Sequence, residues 1–590
     1  MAAAFETLTG FESGFLAIAT FASAQVQNVD IPANAATAMQ NFSTHDVTNQ
    51  PPPLENYNLY ATDRALQEAV QRDGAAWAGT ALQTFGATLG EPAVMALGQL
   101  ANRNPPVLFT HDRYGRRRDE VEFHPAWHQL MTLGAGAGLH SAPWSEPRPG
   151  AHVARAAAYL LYGQIENGTQ CPLTMTYAAV PVLTKQAASL PMLGETWLPR
   201  ILSREYDPRF VPIEAKRGAL IGMGMTEKQG GSDVRSNTTR AVAEGVSGPG
   251  RPYRLTGHKW FMSAPMCDAF LMLAKTDAGI GCFFVPRFTP DGAKNALALQ
   301  RLKDKLGNKS NASSEVELQG ALGWLLGEEG RGVPTIVEMA TYTRLDCALG
   351  STAMMRQAVA QALHHASHRM AFGKRLVEQP LMKNVLADLA LESESATALV
   401  MRLARAFDAQ TDEAESELRR LMTPAVKYWL CKRGPPLVAE AMEVLGGNGY
   451  VEESVMPRLY REMPLNGIWE GSGNVMCLDV LRVAARGSRA FDIYFAEVEQ
   501  ARGGDARLDA FVDKLKQQLA APGDQEHIAR RLTEHLALGM QAALLVRHAP
   551  TAIADAFCAS RIDGDWGGVF GTLPSNAPVD EIIARASLAV

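Results

Sequence analysis

One carboxylate stands out by its setting. Glu470 lies in Trp469-Glu470-Gly471-Ser472-Gly473-Asn474, among Ile468, Trp469 and Val475. Apolar surroundings raise a carboxyl pKa, so such a group can take up a proton near neutral pH. The stretch opens a helical pattern in which Val475, Leu478, Leu481 and Val483 fall near one face. Ser472 and the glycines beside it sit where that helix begins, and the unpaired N–H groups of a helix start favour an anion such as a phosphate. A solvated Glu ahead of an N-capping Ser is the alternative reading of the same residues.

Other stretches offer complementary chemistry. In Met225-Thr226-Glu227-Lys228-Gln229-Gly230-Gly231-Ser232-Asp233 the Thr226 and Ser232 hydroxyls can donate, and Gly230-Gly231 lets the backbone approach a ligand closely; a plain surface turn is the alternative. Trp260, in Gly257-His258-Lys259-Trp260-Phe261-Met262-Ser263, is either a ligand contact or core. Gly446 and Gly447, in Leu445-Gly446-Gly447-Asn448-Gly449-Tyr450, can cap a helix ending at Leu445. Two histidine pairs at i, i+4 spacing, His124/His128 and His364/His368, have no third ligand in a zinc-like pattern, so no metal is expected. Arg482, Arg486 and Arg489 are spaced to share one face of a continuing helix. Lys514, Lys516, Arg530, Arg531 and Arg547 follow, interleaved with Asp492, Glu497, Glu499, Asp509, Asp513 and Glu526. Phosphate binding and a solvated surface both remain open for this segment.

These groups must be held by a chain of 590 residues, enough for about three or four domains. Apolar content of 47% with 20% charged residues describes a globular protein with large cores. The net charge of −6 excludes a global basic field, so any nucleic-acid contact must be local. Seven scattered cysteines without a C-x-x-C pair suit a reducing cytoplasm. No run of 18 apolar residues is present, so no membrane span is expected. Gly14–Ala24 imitates a secretory signal, but Glu6 and Glu12 stand where basic residues belong. Residues 1–42 therefore read as a disordered or weakly helical extension.

Helical periodicity fills 43–215: Ala65–Asp73, Trp77–Leu89, Glu91–Asn102, His124–Leu133, Gly150–Ile165 and Pro172–Leu190, with Asp112–Asp119 as a charged turn. This region is expected to be all-α. Over 216–332 short β-rich runs appear (Gly218–Met225, Tyr253–Thr256, Ala269–Thr276, Cys282–Pro286, Glu315–Gln319), which predict a barrel or sandwich. Long helices return over 333–486: Pro334–Met370, Pro380–Ala409, Glu413–Lys432, Pro435–Leu445 and the helix after Glu470, predicting a four-helix bundle. A further helical segment spans 487–590. The fold class is α+β.

That order, with the Met225–Asp233 loop, the Gly257–Ser263 strand, Arg369-x-x-Phe372-Gly373 followed by Gln379, the Leu445–Tyr450 glycines, Arg458-x-x-Arg461 and the Glu-Gly-Ser loop, resembles the acyl-CoA dehydrogenase flavoprotein family. Phe123-His124-Pro125-Ala126-Trp127-His128, the Arg301–Ser313 stretch, Trp469–Asn474 and the extra C-terminal helical segment are similar to the AidB branch of that family, over about residues 43–570. The resemblance implies non-covalent FAD. It implies Glu470 as base, since the family's alternative base position, ahead of an Arg, holds Thr343 before Arg344. Cofactor contacts are implied for Met225, Thr226, Gly231, Ser232, Trp260, Phe261, Ser263, Gly446, Gly447, Ile468, Trp469, Gly471, Ser472, Gly473 and Asn474. Arg369, Phe372 and Gln379 are implied to reach a neighbouring subunit's FAD, in a homotetramer. The AidB branch is tied to protection against DNA alkylation, binds double-stranded DNA and shows at most weak acyl-CoA dehydrogenation. This implies isovaleryl-CoA or a similar thioester as substrate, an unidentified electron acceptor, and duplex DNA at Arg482, Arg486, Arg489, Lys514, Lys516, Arg530 and Arg531. An ordinary acyl-CoA dehydrogenase or flavin oxidase of small-molecule metabolism, without a DNA role, is the second hypothesis. Residues 1–42 have no counterpart in the branch's pattern.

Overall fold

The computed structural model describes residues 44–588 except 410, 486, 488, 522 and 524; the expected extension over 1–42 lies outside them. The first region is carried by α1 (Arg64–Arg72), α2 (Gly79–Leu89), α3 (Pro92–Arg103), α4 (Pro125–Gly136), α5 (Ala151–Gly163) and α6 (Gln170–Gln186). Local chemistry sets their starts. Asp63 accepts the Leu66 N–H at 3.0 Å, and α3 and α4 begin on Pro92 and Pro125, whose missing N–H is not needed there.

This region is not all-α. The stretch expected as a charged turn lies within an antiparallel hairpin, β1 (Val107–His111) with β2 (Arg117–Glu122). Asp112 closes it by accepting the N–H groups of Tyr114 (2.8 Å) and Arg116 (3.0 Å), and Arg117 docks it by donating to the Leu299 carbonyl at 2.6 Å. The charges that suggest a solvated turn are consumed in the hairpin's own pairs, such as Arg118–Glu120 at 2.7 Å.

The middle region is a closed barrel rather than a sandwich. Its strands are β3 (Ile221–Gly224), β4 (Arg240–Ala243), β5 (Pro252–Ser263), β6 (Ala269–Thr276), β7 (Gly279–Pro286), β8 (Leu297–Leu302) and β9 (Ser313–Leu326). Pairing runs β6–β4–β5–β9–β7 and returns to β6, with β3 added on β6 and β8 on β9. Buried Phe270, Leu271, Phe283, Phe284 and Val285 fill it. Strands β4 and β8 are not marked in the sequence pattern.

The bundle comprises α7 (Gly332–His368), α8 (Pro380–Asp408), α9 (Glu413–Val444), α10 (Met456–Asn466) and α11 (Gly473–Ala485). The expected break between Lys432 and Pro435 does not occur: α9 runs through Pro424, Pro435 and Pro436. Burial of Leu430, Leu437, Val438 and Ala441 outweighs the lost N–H donors. The Met463 side chain of α10 packs directly over Gly434, its Cε 1.8 Å from where a Cβ would stand. On α11 the buried face is Met476, Cys477, Val480 and Val483, rather than the face through Leu478 and Leu481.

Beyond the bundle come α12 (Ala490–Val498), α13 (Ala506–Ala520), α14 (Ala529–His548), α15 (Thr551–Phe557) and α16 (Val579–Ala586). They share the bundle's core. Gln541 bridges Trp429 Nε1 (2.9 Å) and Ser395 Oγ (3.0 Å), and Arg561 pairs with Asp388 and Glu392 of α8. All seven cysteines are buried and unpaired. No helix among the described residues is long and apolar enough to cross a membrane.

Candidate active site

Glu470 sits on the loop between α10 and α11 with φ +58, and Gly471 follows at +107. Left-handed backbone is uncommon for a residue with a side chain, and such strain concentrates at functional sites. The surroundings over-determine it. Thr343 Oγ1 donates to Glu470 Oε2 at 2.7 Å, and Arg344 Nε donates to the Glu470 carbonyl at 3.0 Å. Lys427 Nζ donates to the Trp469 carbonyl at 2.7 Å and to the Gly471 carbonyl at 2.5 Å. Burial pushes the Glu470 carboxyl above its ordinary value, while the Thr343 hydrogen bond and the charges of Arg344 and Lys427 pull the other way. Thr343 is thus a hydrogen-bond partner of the Glu470 carboxylate, which is half-buried and engaged rather than fully solvated.

The flavin-type loop leaves β3 at Met225 and is tied to β5, where Trp260 N–H donates to the Thr226 carbonyl at 2.9 Å. Beneath it lies a pair that the sequence reading does not single out. Glu227 and Lys259 are both fully buried and meet at 2.8 Å, and Glu227 also accepts from the backbone of Thr238 (2.6 Å) and Thr239 (3.2 Å). Burial alone would raise the Glu227 carboxyl, but Lys259 and these donors hold it down to about 2. Burial draws the Lys259 ammonium below its ordinary value, partly offset by Glu227. Both residues lie inside the motifs named above; a charged residue of each sign in two neighbouring motifs is the available signal.

The register of β5 against β9 shifts between Lys259 and Met262, so Trp260 and Phe261 occupy a bulge that turns them outward. Phe261 is exposed and Trp260 half-buried, so Trp260 is not core; Lys303 Nζ lies 3.3 Å from its ring centroid. Ser263 Oγ is 3.4 Å from Ser313 Oγ.

A Cβ on Gly231 would stand 2.6 Å from Thr226 Oγ1, so a larger residue there would displace that side chain. No atom lies within 4 Å of where a Cβ would stand on Gly230, Gly446 or Gly447. Gly446 has φ +58 directly after the end of α9, so it terminates that helix and also leaves an open flank. Among the described residues the Thr226 and Ser232 hydroxyls bond to no protein group. Free hydroxyls, open glycine backbone and an outward indole are a donor set that fits FAD.

Phe372 is 99% exposed, at the turn joining Met370–Ala371 to Lys374–Arg375, with φ +52 followed by Gly373 at +78. Arg369 Nη1 donates to the Asn49 carbonyl at 2.5 Å, and Gln379 Nε2 to the Ala371 carbonyl at 2.8 Å. Ile468 is exposed, and Trp469 Nε1 donates to Asn466 Oδ1 at 2.9 Å. Ser472 and Gly473 open α11, and Asn474 Oδ1 accepts from Arg530 Nε at 2.8 Å. The ring nitrogens of the two i, i+4 pairs bond to protein groups: His124 accepts the Ala126 N–H, His128 bonds to the Tyr206 hydroxyl, His364 to the Pro52 carbonyl and His368 to the His364 carbonyl.

The expected arginine stripe is not a single helix face. Helix α11 ends at Ala485, Gly487 turns the chain at φ +62, and Arg489 is the N-cap of α12. Arg486 lies outside the described residues. Arg482 pairs with Asp479, and Lys516 pairs with Glu499 at 2.6 Å. Arg489, Lys514 and Arg531 are exposed and enter no ion pair among the described residues.

Family comparisons agree with this geometry. Residues 49–208 match the adaptive response protein AidB N-terminal domain, 222–321 the acyl-CoA dehydrogenase middle domain and 330–485 the acyl-CoA dehydrogenase C-terminal domain. The chain belongs to the acyl-CoA dehydrogenase family, a family of FAD-dependent oxidoreductases, and within it is a homologue of AidB. It is 52% identical over 530 residues to the acyl-CoA dehydrogenase-type protein AidB of Escherichia coli strain K12, covering 89% of this chain and 96% of that one. It is 31% identical over 438 residues to acyl-CoA dehydrogenase family member 11 of Caenorhabditis elegans, covering 71% and 69%. The crystal structure of Caenorhabditis elegans ACDH-11 in complex with C11-CoA superposes with a TM-score of 0.80 at 26% identity, covering 88% of this chain and 94% of that one.

Proposed function

We propose that this FAD-dependent oxidoreductase abstracts the α-proton of an acyl-CoA with Glu470, acts weakly on short branched thioesters such as isovaleryl-CoA, binds double-stranded DNA and protects it against alkylation. The observation that carries the reading is Glu470 itself: a carboxyl raised by burial, fixed at φ +58 and hydrogen-bonded through one oxygen to Thr343. With Oε2 engaged by Thr343, Oε1 is left to receive the proton. A base so placed supplies about 10²–10⁴-fold in rate.

FAD is assigned to Met225, Thr226, Gly231, Ser232, Trp260, Phe261, Ser263, Gly446, Gly447 and the Ile468–Asn474 loop; held there it would supply the hydride acceptor that protein side chains lack. Arg369, Phe372 and Gln379 extend that site to a neighbouring subunit of a homotetramer, supported by a phenylalanine held fully exposed in a left-handed turn. Sedimentation of the FAD-loaded protein as a tetramer is expected; an FAD-loaded monomer at micromolar concentration would contradict it. Seven unpaired buried thiols support a cytoplasmic site of action.

DNA contact is assigned to Arg489, Lys514 and Arg531, with Arg530, Lys516, Arg482 and Arg486 as flanking charge. The second reading, a dehydrogenase without a DNA role, is favoured by how many basic residues of this segment are already paired. Anaerobic flavin reduction by a panel of acyl-CoAs, with and without duplex DNA, tests both. The main reading expects slow bleaching by isovaleryl-CoA and salt-sensitive duplex binding; rapid turnover with no duplex binding favours the second.

A further inference from the structure

The loop that carries Glu470 has an unusual electrostatic floor. Residues 470 and 471 both have positive φ, and the carbonyls of Trp469 and Gly471 converge on one atom, Lys427 Nζ. Lys427 is 1% exposed and belongs to α9, in the stretch from Thr423 to Cys431 that is wholly buried. Among the described residues it has no carboxylate within ion-pair distance. A buried ammonium without a contacting anion costs free energy unless its hydrogen bonds and a nearby charge repay it. Its bonds go to the two carbonyls that bracket the base. The third carbonyl of the loop, that of Glu470, accepts from Arg344, whose Nη1 is held at 3.0 Å by Asp479 of α11. Every carbonyl from 469 to 471 therefore ends on a cation.

We propose that Lys427 is the positioning residue of the base, holding Glu470 in its left-handed conformation by donating to the carbonyls on either side of it. The inference rests on the reading of Glu470 as the proton acceptor. Lys427 has a second effect through its charge. The groups facing Glu470 are Thr343, Arg344 and Cys347 of α7, Cys171 of α6 and Lys427 of α9, with Asp479 of α11 engaged by Arg344. Cys171 and Cys347 are themselves held neutral by burial. Lys427 and Arg344 are thus the cations that favour the ionised carboxylate against burial, and Arg344 is partly spent on Asp479. Removing Lys427 shifts the balance toward the protonated, inactive carboxylic acid.

The test is exchange of the α-hydrogen of isovaleryl-CoA with D₂O in the FAD-loaded protein, which needs no electron acceptor, read alongside thioester affinity, thermal midpoint and FAD content. Lys427→Met is expected to slow exchange by about 10²-fold, the scale of a misplaced reacting group, with thioester affinity little changed. The acid limb of its rate profile moves to higher pH, since loss of a nearby positive charge raises the Glu470 pKa. Lys427→Arg, which keeps charge and donors, restores most of the rate. Lys427→Gln keeps a neutral donor, so it retains more rate than Lys427→Met but shows the same displaced acid limb. Wild-type exchange and an unshifted profile in Lys427→Met overturn the proposal. If that variant does not fold, an unshifted profile in Lys427→Gln does so. Glu470→Gln run beside them separates the two readings. If it exchanges at the wild-type rate, the base assignment fails; if it is dead while the Lys427 variants match wild type, only the positioning role fails.

Discussion

Charge is used in opposite ways around Glu470 and in the C-terminal segment. In the barrel and around the bundle, several charged side chains are buried against defined partners. Lys259 holds Glu227 under the Met225–Asp233 loop, Lys427 and Arg344 cap the carbonyls around Glu470, and Arg155 meets Asp346 with both nearly inaccessible. In the C-terminal segment, charge is abundant but largely self-neutralised at the surface. Arg502 pairs with Glu499 and Asp513, Arg507 with Asp505 and Asp555, and Arg547 with Glu497. The difference teaches that counting basic residues overstates a binding surface. What is left to face a polyanion in this segment, among the described residues, is the small set Arg489, Lys514 and Arg531, with Arg530, which is exposed and bonded only to Asn474. Deep charges should therefore govern stability and chemistry, and the unpaired surface set should govern salt-dependent binding.

The sharpest break in this contrast is Lys259→Met. It leaves Glu227 buried without its partner, so a loss of about 3–5 kcal/mol is expected, visible as a lower denaturation midpoint, together with reduced FAD retention. Unchanged stability and full FAD content would show that the pair is dispensable. Acid should do the same more gently. Glu227 is held at about 2 against an ordinary 4.5, so its contribution is complete above pH 4.5 and is lost as pH falls toward 2. FAD release over that window, followed by flavin fluorescence, should be absent from a Glu227→Gln variant.

On the surface side, reversing Arg489, Lys514 and Arg531 to Glu should weaken duplex binding for all sequences alike. It should also flatten the log–log salt dependence by about 0.9 for each phosphate no longer neutralised, with FAD content unchanged. Intact binding after triple reversal would move the DNA surface elsewhere. The smallest effect is expected from Lys516→Ala, whose partner Glu499 already serves Arg502; a stability change below about 1 kcal/mol by thermal melting fits an exposed pair.

How much is legible in the sequence follows the same division. The long helices α7 and α8 and strand β6 are marked by periodicity and flanking turns, and the Glu470 loop by its motif. Strands β4 and β8 are hidden because Arg240–Ala243 is short and half exposed and Leu297–Leu302 carries Gln300 and Arg301 outward. The continuous α9 is hidden because Pro435-Pro436 is a strong local stop signal that only tertiary burial overrides. The hairpin at 107–122 is masked by its charges. Within the site, Thr343 is visible in the sequence only as a residue unable to be a base; its donation to Glu470 depends on a fold that brings positions 127 residues apart together. The arginine stripe fails at Gly487, where one left-handed residue turns the chain away from the helix axis.

The central claim is that Glu470 takes the substrate's α-proton in an FAD-loaded site, and rapid anaerobic mixing of wild type and Glu470→Gln with isovaleryl-CoA tests it most directly. Both proteins should carry FAD to the same extent. The wild-type flavin should bleach, and the variant's rate should fall by about 10²–10⁴-fold. A variant that holds FAD and bleaches at the wild-type rate would contradict the account.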